Sequence, residues 1–188
     1  MLLSLGLFLS GCGAAVATTE NTTTTEPQTP PDVLATLPLE RIPNGPLPEG
    51  LTPLRYALDL HIDPARDVFN GTVDVRVHLD APTQRIWMHG DRITVQNAWI
   101  VTGFEGALDH GPLTTRPATA EDATWASTSV QGVNRITLAT PVGPGDVTIH
   151  LQYEAPFDRQ LKGLYRVDVG DDHYAFTQFE ATDRKSVV

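Results

Sequence analysis

An all-β fold is what this sequence predicts: an antiparallel β-sandwich or a curved, saddle-like sheet, behind a disordered N-terminal lead. Three observations carry that expectation. Apolar and polar residues alternate with period two along much of the chain from Leu51 onward, which puts one face of each strand in a core. Turn chemistry recurs at short intervals, at Asp80-Ala81-Pro82, Gly143-Pro144-Gly145-Asp146 and Gly170-Asp171-Asp172. No window keeps a helical period behind a cap, and 15 Pro and 15 Gly among 188 residues favour turns over long helices.

The elements follow in order. Leu54, Tyr56, Leu58, Leu60 and Ile62 alternate with Arg55, Ala57, Asp59 and His61, the pattern of a half-buried strand. Asp63-Pro64-Ala65-Arg66-Asp67 supplies the turn after it. In the next strand Phe69, Gly71, Val73, Val75, Val77 and Leu79 share one face, and Asn70, Thr72, Asp74, Arg76 and His78 the other. Gly71 sits inside this alternation, which marks a bulge or a close backbone approach. Further strands are expected over 85–88, 93–101, 124–129, 135–138, 147–153, 164–169 and 174–179. Residues 103–123 read as a long loop. Many short strands with one polar face each imply two packed antiparallel sheets or one curved sheet.

Length allows one domain plus an appendage. A hydrophobic content of 40% suffices for a core. A formal net charge of -10 and a pI near 4.8 exclude a nucleic-acid partner, because phosphate binding needs a basic surface. The single cysteine, Cys12, can form neither an intramolecular disulfide nor a cysteine metal site.

That cysteine ends an apolar run, Met1 to Ser10, too short for a transmembrane helix but of signal-peptide length. Leu9-Ser10-Gly11-Cys12 looks like a bacterial lipobox, which would leave Cys12 as a lipidated N-terminus and the protein anchored in the bacterial cell envelope, exported from the cytoplasm. No Lys or Arg precedes the run, unlike an ordinary signal peptide. Ala, Thr and Pro dominate from there to Pro31, with Pro38, Pro43, Pro46 and Pro48 beyond, which suits a flexible tether. The expected organisation is therefore a lipoprotein signal peptide over 1–12, a tether and lead-in over 13–49, a β domain over 50–183 and an aberrant or truncated end over 184–188.

Chemistry is sparse. None of the six histidines is followed by Glu, so no His-Glu-x-x-His helix is present. His61, His78 and His150 fall on polar strand faces and are expected at the surface. No Gly-x-Ser-x-Gly elbow and no Gly-rich phosphate loop occur. The stretch that invites a functional reading is Tyr174-Ala175-Phe176-Thr177-Gln178-Phe179-Glu180. As a strand it places Tyr174, Phe176, Gln178 and Glu180 on one face, as if leaving a core and ending at a site. Gln178 and Glu180 would stand about 7 Å apart, an amide beside a carboxylate able to capture a cationic group.

Several motifs in sequence order resemble the N-terminal domain of zinc aminopeptidases of the aminopeptidase N type. Leu51-Thr52-Pro53-Leu54-Arg55-Tyr56-Ala57-Leu58-Asp59-Leu60 is similar to its opening strand, and Phe69-Asn70-Gly71-Thr72-Val73 to its second. Ile86-Trp87-Met88-His89 with Ile93-Thr94-Val95, and Lys162-Gly163-Leu164-Tyr165-Arg166, resemble later elements. Thr177-Gln178-Phe179-Glu180-Ala181-Thr182-Asp183 is the most specific. The resemblance implies that Glu180 helps bind the free α-amino group of a peptide and that Gln178 lines the pocket for its first side chain. It implies no cofactor in this chain: the zinc, the His-Glu-x-x-His helix and a Gly-x-Met-Glu-Asn motif would belong to a following catalytic domain. After Asp183 the chain departs from the family pattern, reading Arg184-Lys185-Ser186-Val187-Val188, which suggests a fragment or a frameshift. The expected partners are a peptide N-terminus, met together with that domain, and a membrane through the lipid anchor. A rival reading is a non-catalytic β-sandwich lipoprotein that binds a ligand or partner, with a carbohydrate platform of Trp87, Trp99 and Trp125 as a weaker variant.

Overall fold

A computed structural model describes residues 41–104, 106 and 108–178. The chain divides into Met1–Asp32, which lies outside the described residues together with Cys12, and a body that begins at Val33. The described part of the body contains nine strands and no helix: β1 (Leu51–His61), β2 (Val68–Leu79), β3 (Thr83–His89), β4 (Thr94–Thr102), β5 (Glu121–Ser127), β6 (Val133–Val142), β7 (Gly145–Pro156), β8 (Gly163–Val169) and β9 (Asp172–Gln178). Each predicted strand is present, with bounds moved by a few residues.

Seven strands form one antiparallel sheet in the order β1-β2-β7-β4-β5-β6-β3, and β8 with β9 forms a separate ribbon. The expected curved-sheet architecture is the one observed. Its spine is the β2–β7 pair, in unbroken register from Val68↔Pro156 to Leu79↔Gly145. The sheet curls at β5. Only Glu121 and Asp122 of this strand pair with β4, while Ala123 to Ser127 pair with β6. Curling carries β6 and β3 over β2 and β7, so Val73, Val75, Val77, Ile136, Leu138, Ile149 and Leu151 share one core. Each such side chain stabilises the fold by about 2 kcal/mol relative to exposure.

β1 keeps the predicted phase but not the predicted burial. Tyr56 and Leu58 lie opposite Val75 and Val73, on the core face, yet both remain well exposed. The reason is position: β1 is an edge strand, with nothing beyond it among the described residues to cover that face. Gly71 proves to be a close approach. It lies opposite Tyr153, and a Cβ there would come within 2.4 Å of that ring.

The outer face of the sheet carries the largest departure from expectation. His150, expected at the surface, is 4% exposed, and Asp74 is fully buried. Ala57, Asp74, His150 and Trp99 form one cross-strand row through β1, β2, β7 and β4. The segment 103–120, between β4 and β5, holds Leu113 against this row and buries Leu108. His150 Nδ1 donates to Asp74 Oδ1 at 2.7 Å, and the Leu113 N–H donates to Asp74 Oδ2. The Trp99 and His150 rings stack at 4.1 Å. In the next row Arg76 donates to the carbonyls of Phe104 and Gly106, and Arg55 pairs with Asp109 of the same segment. Trp99 and Trp87 are buried and Trp125 packs on the core, so the three do not form an open stacking platform.

Two stability tests follow from this geometry. Asp74→Ala strands two buried donors at once and is expected to cost about 3 kcal/mol, read as a lower urea midpoint at constant slope. Asp74→Asn, which keeps an acceptor, is expected to cost less. Tyr153 is the second case. Its hydroxyl is buried without a hydrogen-bond partner among the described residues, and burial pushes its pKa up to about 12. An acid whose folded pKa is raised keeps its stability below the unfolded value of about 10 and loses it as pH rises towards 12. Alkaline denaturation in that window should therefore flatten in Tyr153→Phe, with no loss of stability at pH 7.

Candidate functional site

The ribbon carries Gln178, one of the two site residues expected from sequence. β8 and β9 pair from Val169↔Asp172 at the turn to Gly163↔Gln178 at the open end, with Gly170 at φ 63° in the turn. Alternation divides the ribbon into two faces. Leu164, Arg166, Asp168, His173, Ala175 and Thr177 lie on one, and Tyr165, Val167, Val169, Tyr174, Phe176 and Gln178 on the other.

The first face is tied to the body. Leu164 is buried, and Arg166, with its side chain 9% exposed, donates to the carbonyls of Arg66 (2.9 Å) and Pro64 in the β1–β2 turn. Arg166 also pairs with Asp67 and, through Nε at 3.1 Å, with Asp168. His173, directly across the ribbon, donates Nδ1–H to Asp168 at 2.8 Å. That hydrogen bond, followed by the Arg166 and His173 charges and Arg159, holds the Asp168 carboxyl below its ordinary value against the opposing effect of desolvation. At the open end the Asp158 N–H donates to the Leu164 carbonyl, and the Arg166 N–H donates to the Asp158 carbonyl. The Asp158 side chain accepts from Arg92 and from the Gln160 N–H. Desolvation raises the Asp158 pKa, but the Gln160 N–H and the Arg92 charge outweigh it and leave the group lowered.

The second face corrects one expectation. Tyr174 and Phe176 do not leave a core; they are 47% and 48% exposed. β9 pairs with β8 alone among the described strands, and it is the opposite face of the ribbon that meets the body. Phe176 stacks on Tyr165 at 5.8 Å, so an aromatic and aliphatic strip faces outward beside Gln178. Gln178 is exposed at the last described position of β9, while Glu180, its predicted companion, lies outside the described residues, as does 184–188.

The clip of Arg166, Asp168 and His173 was not singled out from sequence. The signal for it is local: two charged residues at i and i+2 share a strand face, and a histidine lies across a Gly170-Asp171 turn. No group of three or more His, Cys, Asp or Glu side chains is gathered as a metal site among the described residues. Arg166→Gln is expected to speed amide exchange in β8 and β9 by about tenfold or more while leaving Ile149 and Leu151 protected. Acidification should act in the same sense. The contribution of Asp168 is present above its ordinary pKa and is lost as pH falls through the lowered one.

Comparison with known proteins places this geometry. The family model for the Peptidase M1 N-terminal domain matches residues 52–188. Endoplasmic reticulum aminopeptidase 1 of Rattus norvegicus is 29% identical over 145 residues, covering 74% of this chain and 14% of its own length. The Mus musculus protein of the same name is 27% identical over 145 residues, with the same shares. The chain thus spans about 14% of the length of these curated relatives. An all-β body closing on an aromatic ribbon, matched by a family model over most of its length, identifies this chain as a member of the Peptidase M1 N-terminal domain family.

Proposed function

We propose that the chain is the substrate-anchoring N-terminal domain of a zinc-dependent aminopeptidase, which removes N-terminal residues from peptides. The observation that carries the reading is the outward face of the ribbon. Its aromatic strip is exposed on a segment clipped to a well-packed body, and Gln178 closes the strip at its open end. An exposed apolar strip of this kind suits burial against a further domain. In this reading Glu180 binds the protonated α-amino group of a peptide, since a carboxylate selects a free N-terminus over a blocked one. Gln178, with an amide that donates and accepts, lines the pocket for the first side chain.

In this reading zinc is held by a following catalytic domain, as the resemblance to zinc aminopeptidases implies. What this chain supplies is binding and orientation: a fixed anion for the amine and a wall for the side chain. Cys12, as a lipidated N-terminus, would hold the enzyme at the bacterial cell envelope, with the Thr- and Pro-rich stretch after it as tether.

The experiment is kinetic. In a polypeptide that carries this domain ahead of a zinc peptidase domain, Glu180→Gln is expected to raise KM for a free-amine dipeptide by about tenfold or more, the loss of one charge-assisted hydrogen bond, and Gln178→Ala to raise it less, through the lost pocket wall. Unchanged KM in both variants overturns the assignment. The 188-residue chain alone is expected to show no zinc content and no hydrolysis of an aminoacyl reporter.

A further inference from the structure

We propose that β1 is a homodimer interface: the edge strands of two copies of this chain pair antiparallel across a twofold axis at Ala57, so that Arg55 of each copy faces Asp59 of the other. β1 ends the seven-strand order, and an antiparallel ladder turns only alternate backbone groups towards β2. The remaining N–H and C=O groups of β1 face outward with no strand on them among the described residues, and such an edge is a template that a second chain extends. On the core side of that edge stand Tyr56 and Leu58, 40% and 39% exposed, with Leu54 and Ile62 exposed in the same segment.

The order of charges along the strand selects a second copy as the occupant. Arg55 and Asp59 lie on the outer face, on either side of Ala57, and both are exposed. Opposite residues in a ladder share a sheet face, so a twofold axis across this edge passes beside a single residue. Centring it on Arg55 or on Asp59 sets like charges face to face, and centring it on Tyr56 or Leu58 sets neither charge opposite the other. Centring it on Ala57 gives two Arg55–Asp59 pairs and two Tyr56–Leu58 pairs, and the small Ala57 side chain meets its own copy at the axis without crowding. Arg55 already pairs with Asp109 at 2.5 Å through Nη2, yet both side chains are half exposed, and a guanidinium has donors for a second carboxylate. Asp59 has no ion-pair partner among the described residues. The ladder register breaks between Pro53 and Arg55, and Pro53 cannot donate, so the paired stretch is short and suits a reversible dimer.

Sedimentation equilibrium of the full chain tests this, in a Cys12→Ser background that prevents an intermolecular disulfide. A species of twice the 20.4 kDa chain mass is expected to form reversibly as concentration rises. Arg55→Glu and Asp59→Arg each set like charges opposite one another and are expected to weaken self-association by about tenfold or more. An equimolar mixture of the two variants should dimerise again, because their charges are complementary across the axis. A chain without these two substitutions that stays monomeric at its highest soluble concentration overturns the proposal, and that arm needs neither variant to fold. A dimer insensitive to both substitutions also overturns it, since another surface would then join the copies. In amide exchange, protection of the outward N–H groups of β1 is expected to rise with concentration. Equal protection at every concentration overturns the proposal, since another part of the same chain would then cover the edge.

Discussion

The pairing of β2 with β7 is the constraint on which the rest of the molecule depends. These strands lie far apart in sequence, so forming the ladder closes a long loop before any contact repays the entropy. It is repaid because alternate residues on both strands are apolar and meet the same core. β1 reaches the sheet by a hairpin on one side of this pair, and β4 joins β7 on the other. The turn between β6 and β7 needs Gly143 and Gly145 with φ of 87° and 119°, backbone that other residues rarely adopt.

The same ladder governs the outer face. A polar face on a central strand ordinarily meets water, but here the 103–120 segment lies on it and needs anchors. Asp74 serves two donors at once, Arg76 supplies two hydrogen bonds to carbonyls, and Arg55 pairs with Asp109. Arg55 and Arg76 stand opposite one another across β1 and β2, an arrangement that would repel without separate partners. The cost of burying Asp74 and His150 is offset by these bonds and by stacking on Trp99. Two layers of packing thus fix the position of β2 and β7, and rigidity there serves anything mounted on the end of the sheet.

The ribbon is mounted in that way. Beside the buried Leu164 its inner face uses charge: Arg166 holds the β1–β2 turn, and Asp168 joins Arg166 to His173. Its outer face keeps its aromatic residues in solvent. Such a division fixes the ribbon's direction while leaving its apolar strip free.

Period-two alternation in the sequence determined the fold class, the nine strands and the faces of β2 and β7, because burial of one strand face writes itself directly into residue order. The motif around Gln178 and Glu180 marked a candidate site in the same local way, of which the described residues include Gln178 alone. Tertiary structure alone decided which faces met solvent. Tyr56 and Leu58 share a face with core residues yet stay exposed because β1 is an edge; Tyr174 and Phe176 stay exposed because the ribbon docks by its other side. His150 and Asp74 are buried because a loop distant in sequence folds over them. Alternation records which residues share a side of a strand, but what covers that side depends on contacts between segments far apart in the chain, and no local pattern encodes them.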